Sequence, residues 1–130
     1  MKQFDKDMNS VFAELFLEVR EFLKKEINEE EVIERLSANI TSYFSTKYSS
    51  GFCYIRTTQE GLRIAWFKGI YLQDDYKLLQ GNGKKLRFLT IRTLSKEVKM
   101  SLRSYIEESK IIMLEKDAMH LAKKAFKKKY

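Results

Sequence analysis

Proline is absent from this chain, and cysteine and histidine occur once each, as Cys53 and His120. With no proline and only 5 glycines, nothing in the sequence reads as a flexible linker or a disordered segment. A single cysteine excludes an internal disulfide and fits a reducing compartment. One cysteine and one histidine cannot build a zinc site. Long apolar runs are missing too. The longest aliphatic stretch, Ile111 to Leu114, is far too short to span a bilayer. Met1 to Asp7 alternates charges where a signal peptide requires an apolar stretch. The expectation is a cytoplasmic protein without membrane attachment.

What is present suits one domain covering residues 1–130. Apolar residues make up 44% and charged residues 33%, which is the balance of a soluble chain. The net charge of +7 is unevenly spread. Residues 1–46 hold six basic and ten acidic side chains, a balance of −4; residues 47–130 hold nineteen basic and eight acidic, a balance of +11. That division predicts either an anionic partner for the second part, or attraction between an acidic first layer and a basic remainder.

The chain is organised around Leu62 to Thr93, where two β-rich runs flank a glycine-containing turn, Gly81-Asn82-Gly83-Lys84-Lys85. Ahead of it, Met8, Val11, Phe12, Leu15, Phe16, Val19, Phe22 and Leu23 recur at helical spacing and predict one helix from Phe4 to Glu26 with a wide apolar stripe. Asn28 is a good N-cap, and Glu29-Glu30-Glu31 suit a positive helix N-terminus, so a short second helix is expected with Val32, Ile33 and Leu36 on its buried edge. Ile40 to Phe44 and Phe52 to Thr57 read as strands, separated by a turn at Lys47 to Gly51. Gln59-Glu60-Gly61 is expected to turn the chain into a strand over Leu62 to Lys68. Ser95 caps a third helix, which Ile111 to Leu114 can continue or bend, and a last helix carries Leu114, Ala118, Leu121, Ala122 and Ala125 on one side. Residues 115–130 form a basic C-terminal helical extension ending in a lysine cluster. Helices at both ends of a run of strands predict an α+β fold, with an antiparallel sheet of about four strands and helices on one face.

Alternation along the strands then nominates a site. With Cys53, Ile55, Ala65, Phe67, Leu89 and Ile91 toward the helices, the other face carries Tyr54, Arg56, Ile64, Trp66, Lys68, Phe88, Thr90 and Arg92. Tyr54, Arg56, Trp66, Lys68 and Arg92 are the candidate ligand-binding residues: interleaved rings and cations can stack on and neutralise an anionic planar ligand or a nucleic acid. The competing expectation is that the C-terminal helix or a second subunit covers this face. Lys84, Lys85 and Arg87 are candidate anion contacts. A P-loop requires G-x-x-x-x-G-K-[ST] between strand and helix; here Lys85 replaces the hydroxyl and a strand follows. Cys53 lies in a strand and His120 in a helix, and nothing in the sequence brings them together. No catalytic residue, metal ligand or cofactor is predicted.

Phe67-Lys68-Gly69, Leu72, Asp74, Leu79, Gly81, Gly83-Lys84-Lys85 and Arg87 resemble the pattern of the YdhG-like family of small bacterial proteins of unknown function. The resemblance covers roughly residues 10–112. It implies an α+β fold similar to type III secretion chaperones, with helices against one antiparallel sheet. Some members of that family are described as frataxin-like iron chaperones. The chain departs from the family where Trp/Tyr-Gly-x-Pro is usual, which is Asn39-Ile40-Thr41-Ser42-Tyr43 here, and where Asp-Pro becomes Asp74-Asp75. The expected function is a non-enzymatic binding or chaperone-like domain taking an anionic partner through the basic aromatic sheet face. The alternatives are an intracellular iron chaperone, to which no residue is assigned, and a protein–protein adaptor that dimerises through that face. Monomer and homodimer both stay open.

Overall fold

The computed structural model describes residues 2–129. The first expected helix is two, α1 over Gln3–Met8 and α2 over Ala13–Ile27. The break falls where short polar side chains compete for the backbone. The Asn9 side-chain amide donates to the Asp5 carbonyl at 2.7 Å, and Ser10 Oγ accepts from the Phe12 amide at 3.1 Å. Leu15, Phe16, Val19, Leu23 and Ile27 of α2 face inward. Val11, expected on the same stripe, sits in the break and is 94% exposed. The buried carboxylate of Asp7 accepts from the Thr57 amide at 2.9 Å and from Gln3 at 2.8 Å, which ties α1 to the sheet.

The expected second helix is a strand, β1, over Val32–Leu36. Asn28 ends α2 instead of starting another helix. Its φ of 152° lies outside the helical range, and its side chain accepts from the Glu30 amide at 3.0 Å. The β-branched pair Val32-Ile33 then extends and pairs with the next strand. That strand is β2, Thr41–Ser45, followed by β3, Cys53–Thr57, β4, Leu62–Trp66, and β5, Arg87–Ile91. The sheet is antiparallel with five strands in the order β1-β2-β3-β4-β5. The fold is α+β as expected, and the strand beyond the expected number is β1. A 3-10 turn over Gly69–Tyr71 leads from β4 into the loop before β5.

The helix α3 runs unbroken from Lys96 to Lys129, so Ile111 to Leu114, where the sequence allows either a continuation or a bend, continues the third helix into the last. No glycine or proline lies between those ends, so nothing in the backbone forces a break. Ser95 is its cap, accepting from the Val98 amide at 3.2 Å. Leu102, Tyr105, Ile106 and Met113 face the domain and are buried, while Leu114 and almost every residue after it are exposed. The core lies between the helices and one face of the sheet, built from Phe16, Val19 and Leu23, from Tyr43, Cys53, Ile55, Leu62, Ile64, Trp66 and Leu89, and from Leu102, Tyr105 and Ile106. Trp66 meets Tyr105 edge-on at 5.4 Å.

Glu34 is the only carboxylate among the strand residues, and it lies on this covered face. Arg20 of α2 grips it with two bonds of 2.7 and 2.9 Å, and the Tyr43 hydroxyl donates to it at 2.7 Å. Burial alone would raise the Glu34 pKa, but those bonds outweigh it and hold the pKa below the ordinary carboxylate value. Burial, and then Glu34 itself, push the Tyr43 phenol far upward.

Candidate functional site

The register of β3 and β4 decides which side chains share the uncovered face. A turn of three residues, Gln59 to Gly61, would place Arg56 opposite Ile64 and Tyr54 opposite Trp66. The turn has four. The Thr58 amide donates to the Gly61 carbonyl at 2.7 Å, and Thr58 Oγ1 accepts from the Glu60 amide at 3.2 Å. Gly61 closes it at a φ of 151°, with the Ile91 carbonyl standing where a β-carbon would be. The pairs are therefore Thr57 with Leu62, Arg56 with Arg63, Ile55 with Ile64 and Cys53 with Trp66. One extra turn residue flips all of β4. Ile64 and Trp66 go inward, and Arg63, Ala65 and Phe67 go outward.

Two candidate ligand-binding residues therefore leave the face. Trp66 has no solvent exposure and packs on α3. Lys68 is buried to 8% exposure on the same side as Trp66. Burial, and then the nearby ammonium groups of Lys116 and Lys85, pull its pKa below the usual lysine value. Arg92 lies just beyond β5, and its Nε donates to the Glu60 carbonyl at 2.9 Å, clipping the β3–β4 turn. Tyr54 and Arg56 stand on the uncovered face, both half-buried. Of the candidate anion contacts, Lys84 and Lys85 are exposed in the loop before β5. Arg87 turns toward that loop and donates to the Gly83 and Leu86 carbonyls at 2.6 and 2.7 Å. Asp74 also works within the backbone. Its carboxylate accepts from the amides of Leu78 and Leu79, each at 3.0 Å, and from the Tyr105 hydroxyl.

What the register assembles on the uncovered face is an arginine–aromatic surface. Phe44 and Phe67 have ring centroids 6.2 Å apart, and Phe67 and Tyr54 lie 6.3 Å apart. The guanidinium of Arg35 lies 4.0 Å over the Phe44 ring, and that of Arg63 lies 3.9 Å over Phe88. Phe44 lies against Gly51, where a β-carbon would stand 2.6 Å from the ring. Phe44, Tyr54, Phe67 and Phe88 are all half-buried, and none belongs to the core between sheet and helices. Ser42 of β2 and Ala65 of β4, both small and buried, stand on either side of Tyr54.

The electrostatics of this face are one-sided. Arg56 and Arg63 stand directly opposite each other on adjacent strands, an arrangement in which like charges destabilise. No strand residue on the face is acidic, and no ion pair among the described residues involves Arg35, Arg56 or Arg63. The Arg63 Nε is buried and has no hydrogen-bond partner. Arg35, Phe44, Arg63 and Phe67 were not among the residues the sequence nominated. The signal that would have found Arg63 and Phe67 is Thr58, whose hydroxyl draws it into the turn, whereas Arg35 was hidden by the helical reading of Val32 to Leu36.

Among the described residues, no group of three or more His, Cys, Asp or Glu side chains is placed to hold a metal ion. None of the helices is long and apolar enough to cross a membrane, again among the described residues. Comparisons with protein-family models, with curated proteins and with solved structures each find no match.

Proposed function

We propose that this chain is a non-enzymatic binding module whose uncovered sheet face takes an anionic, ring-bearing ligand of the single-stranded nucleic-acid class. The observation that carries the reading is the Arg56–Arg63 pair, two cations set opposite each other with no carboxylate on their face. A phosphate between them would relieve their repulsion. Tyr54 and Phe67 supply π-faces for bases, and stacking of this kind tolerates any sequence. Arg35 and Arg63, laid on Phe44 and Phe88, are held in place before a ligand arrives.

The test is fluorescence anisotropy of a labelled single-stranded oligonucleotide titrated with the full chain at several salt concentrations. Binding is expected at low salt and should weaken linearly on a log–log plot, as release of counterions requires. The Lys123→Gln/Lys124→Gln/Lys127→Gln variant controls for nonspecific attraction to the basic helix end. Loss of binding in that variant, with binding intact in Arg56→Ala/Arg63→Ala, would move the site off the sheet. No binding by the unaltered chain at low salt would end the reading.

A further inference from the structure

We propose that Lys68, Lys85 and Lys116 form a second anion site, one that takes a phosphate group, where the end of β4, the loop before β5 and α3 meet. It lies on the helix side of the sheet, apart from the arginine–aromatic face. Lys68 precedes the 3-10 turn over Gly69–Tyr71, and the Tyr71 amide donates to its carbonyl at 2.9 Å. The loop before β5 is laid directly on that turn. The Ile70 amide donates to the Lys85 carbonyl at 2.9 Å, and a β-carbon on Gly69 would stand 2.4 Å from the Arg87 amide nitrogen. Lys85 is therefore fixed beside the turn that begins after Lys68. Lys116 comes from α3. It follows Met113 and Ile112 by three and four residues, and both of those pack on the core, so Lys116 projects from the domain side of the helix.

What marks the place is Lys68 itself. It is only 8% exposed, so a buried stem holds its ammonium, which cannot swing into solvent as that of an exposed lysine does. No ion pair among the described residues involves Lys68, Lys85 or Lys116. The carboxylate that acts on Lys68, that of Asp117, is taken up by Ser49, whose amide donates to one oxygen at 3.3 Å and whose hydroxyl donates to the other. A buried cation with two more cations as neighbours and no acid paired to it is unfavourable until an anion enters. Burial and those two ammonium groups hold the Lys68 pKa below the usual lysine value, and a bound anion acts in the opposite direction. A phosphate group fits the count. It is multiply charged and offers an oxygen to each ammonium, whereas a carboxylate has two oxygens and a single charge. Lys116 and Asp117 also line, with Ser49, Met119 and Leu121, a cleft of about 720 Å³ between α3 and the β2–β3 turn. That cleft leaves room for whatever carries the phosphate.

Isothermal titration calorimetry of the full chain at low ionic strength, with inorganic phosphate and with phenyl phosphate to millimolar concentration, tests the site. Both anions are expected to bind. Lys68→Met keeps the buried stem and removes the charge, and it should weaken both at least about tenfold. Lys116→Gln changes an exposed side chain, so its circular dichroism spectrum should match the parent's while both anions bind more weakly. Tighter binding of phenyl phosphate than of inorganic phosphate would identify a monoester whose body lies in the cleft, and equal affinities would identify the free ion. Oligonucleotide binding should be unchanged in Lys68→Met, since Arg56 and Arg63 stand on the other side of the sheet. Four results would each overturn the proposal: no binding of either anion by the unaltered chain; binding indifferent to Lys68→Met and Lys116→Gln; phosphate binding lost in Arg56→Ala/Arg63→Ala but kept in Lys68→Met; or a matching loss of oligonucleotide binding in Lys68→Met.

Discussion

On the covered face of the sheet Trp66, Ile64 and Ile55 have no solvent exposure, whereas on the other face Phe44, Tyr54, Phe67 and Phe88 stay half-buried with arginines among them. Both faces are rich in aromatic residues, so ring content alone does not separate core from surface. The charges do. The only strand carboxylate, Glu34, lies on the covered face and is matched by Arg20 and Tyr43. The uncovered face holds Arg35, Arg56 and Arg63 and no acid to match them. Among the strand residues, charge is matched within the chain where helices cover the sheet and is unmatched where they do not.

The widest separation between the faces should appear in stability. Trp66→Ala is expected to cost about 3–5 kcal/mol in denaturant unfolding, as truncation of a buried aromatic does. Phe67→Ala, one residue along and on the other face, should cost much less. Equal losses would mean that both faces are core. Next comes the arginine pair. Arg56→Ala/Arg63→Ala should lower the salt slope of oligonucleotide binding by about two units, since the slope counts neutralised phosphates. The same change removes a like-charge opposition, so unfolding stability should hold or rise. A marked loss of stability would show that the pair has a structural partner instead.

Glu34→Gln probes the matched charge on the covered face and should cost about 1.5–3 kcal/mol at neutral pH. Its pKa is lower in the folded protein than in the unfolded chain, whose ordinary value is 4.5. Its contribution is therefore fully present above pH 4.5 and is lost as pH falls through the depressed folded value. Acid unfolding followed by circular dichroism should be less steep in Glu34→Gln than in the parent, and an unchanged profile would assign acid sensitivity elsewhere. The smallest effect is stacking. Phe67→Ala should weaken oligonucleotide binding by about 1–3 kcal/mol while leaving the salt slope nearly unchanged. A change in slope with no change in affinity at low salt would remove the rings from the binding account.

Much of this molecule follows from local pattern. The α2 stripe of Leu15, Phe16, Val19 and Leu23, the Ser95 cap, the strands β2 to β5 and the α+β order are all written in periodicity and capping residues that act over a few positions. The misread elements are those in which two local meanings compete. Asn28 serves equally to end one helix or to begin another, and the choice fell to pairing of Val32–Leu36 with β2 and to the Arg20–Glu34 bond. Leu62 to Lys68 carries apolar residues at both parities, Ile64 and Trp66 on one and Ala65 and Phe67 on the other. Its pattern cannot choose a face. Thr58 joining the turn set the register, and with it Trp66 went into the core and Arg63 came to stand opposite Arg56. Outside Val32–Leu36, the sequence by itself determined which segments are helical or extended, because that depends on neighbours a few residues away. Which arginines stand together, and which rings remain on the uncovered face, was decided only by pairing across strands and packing against helices.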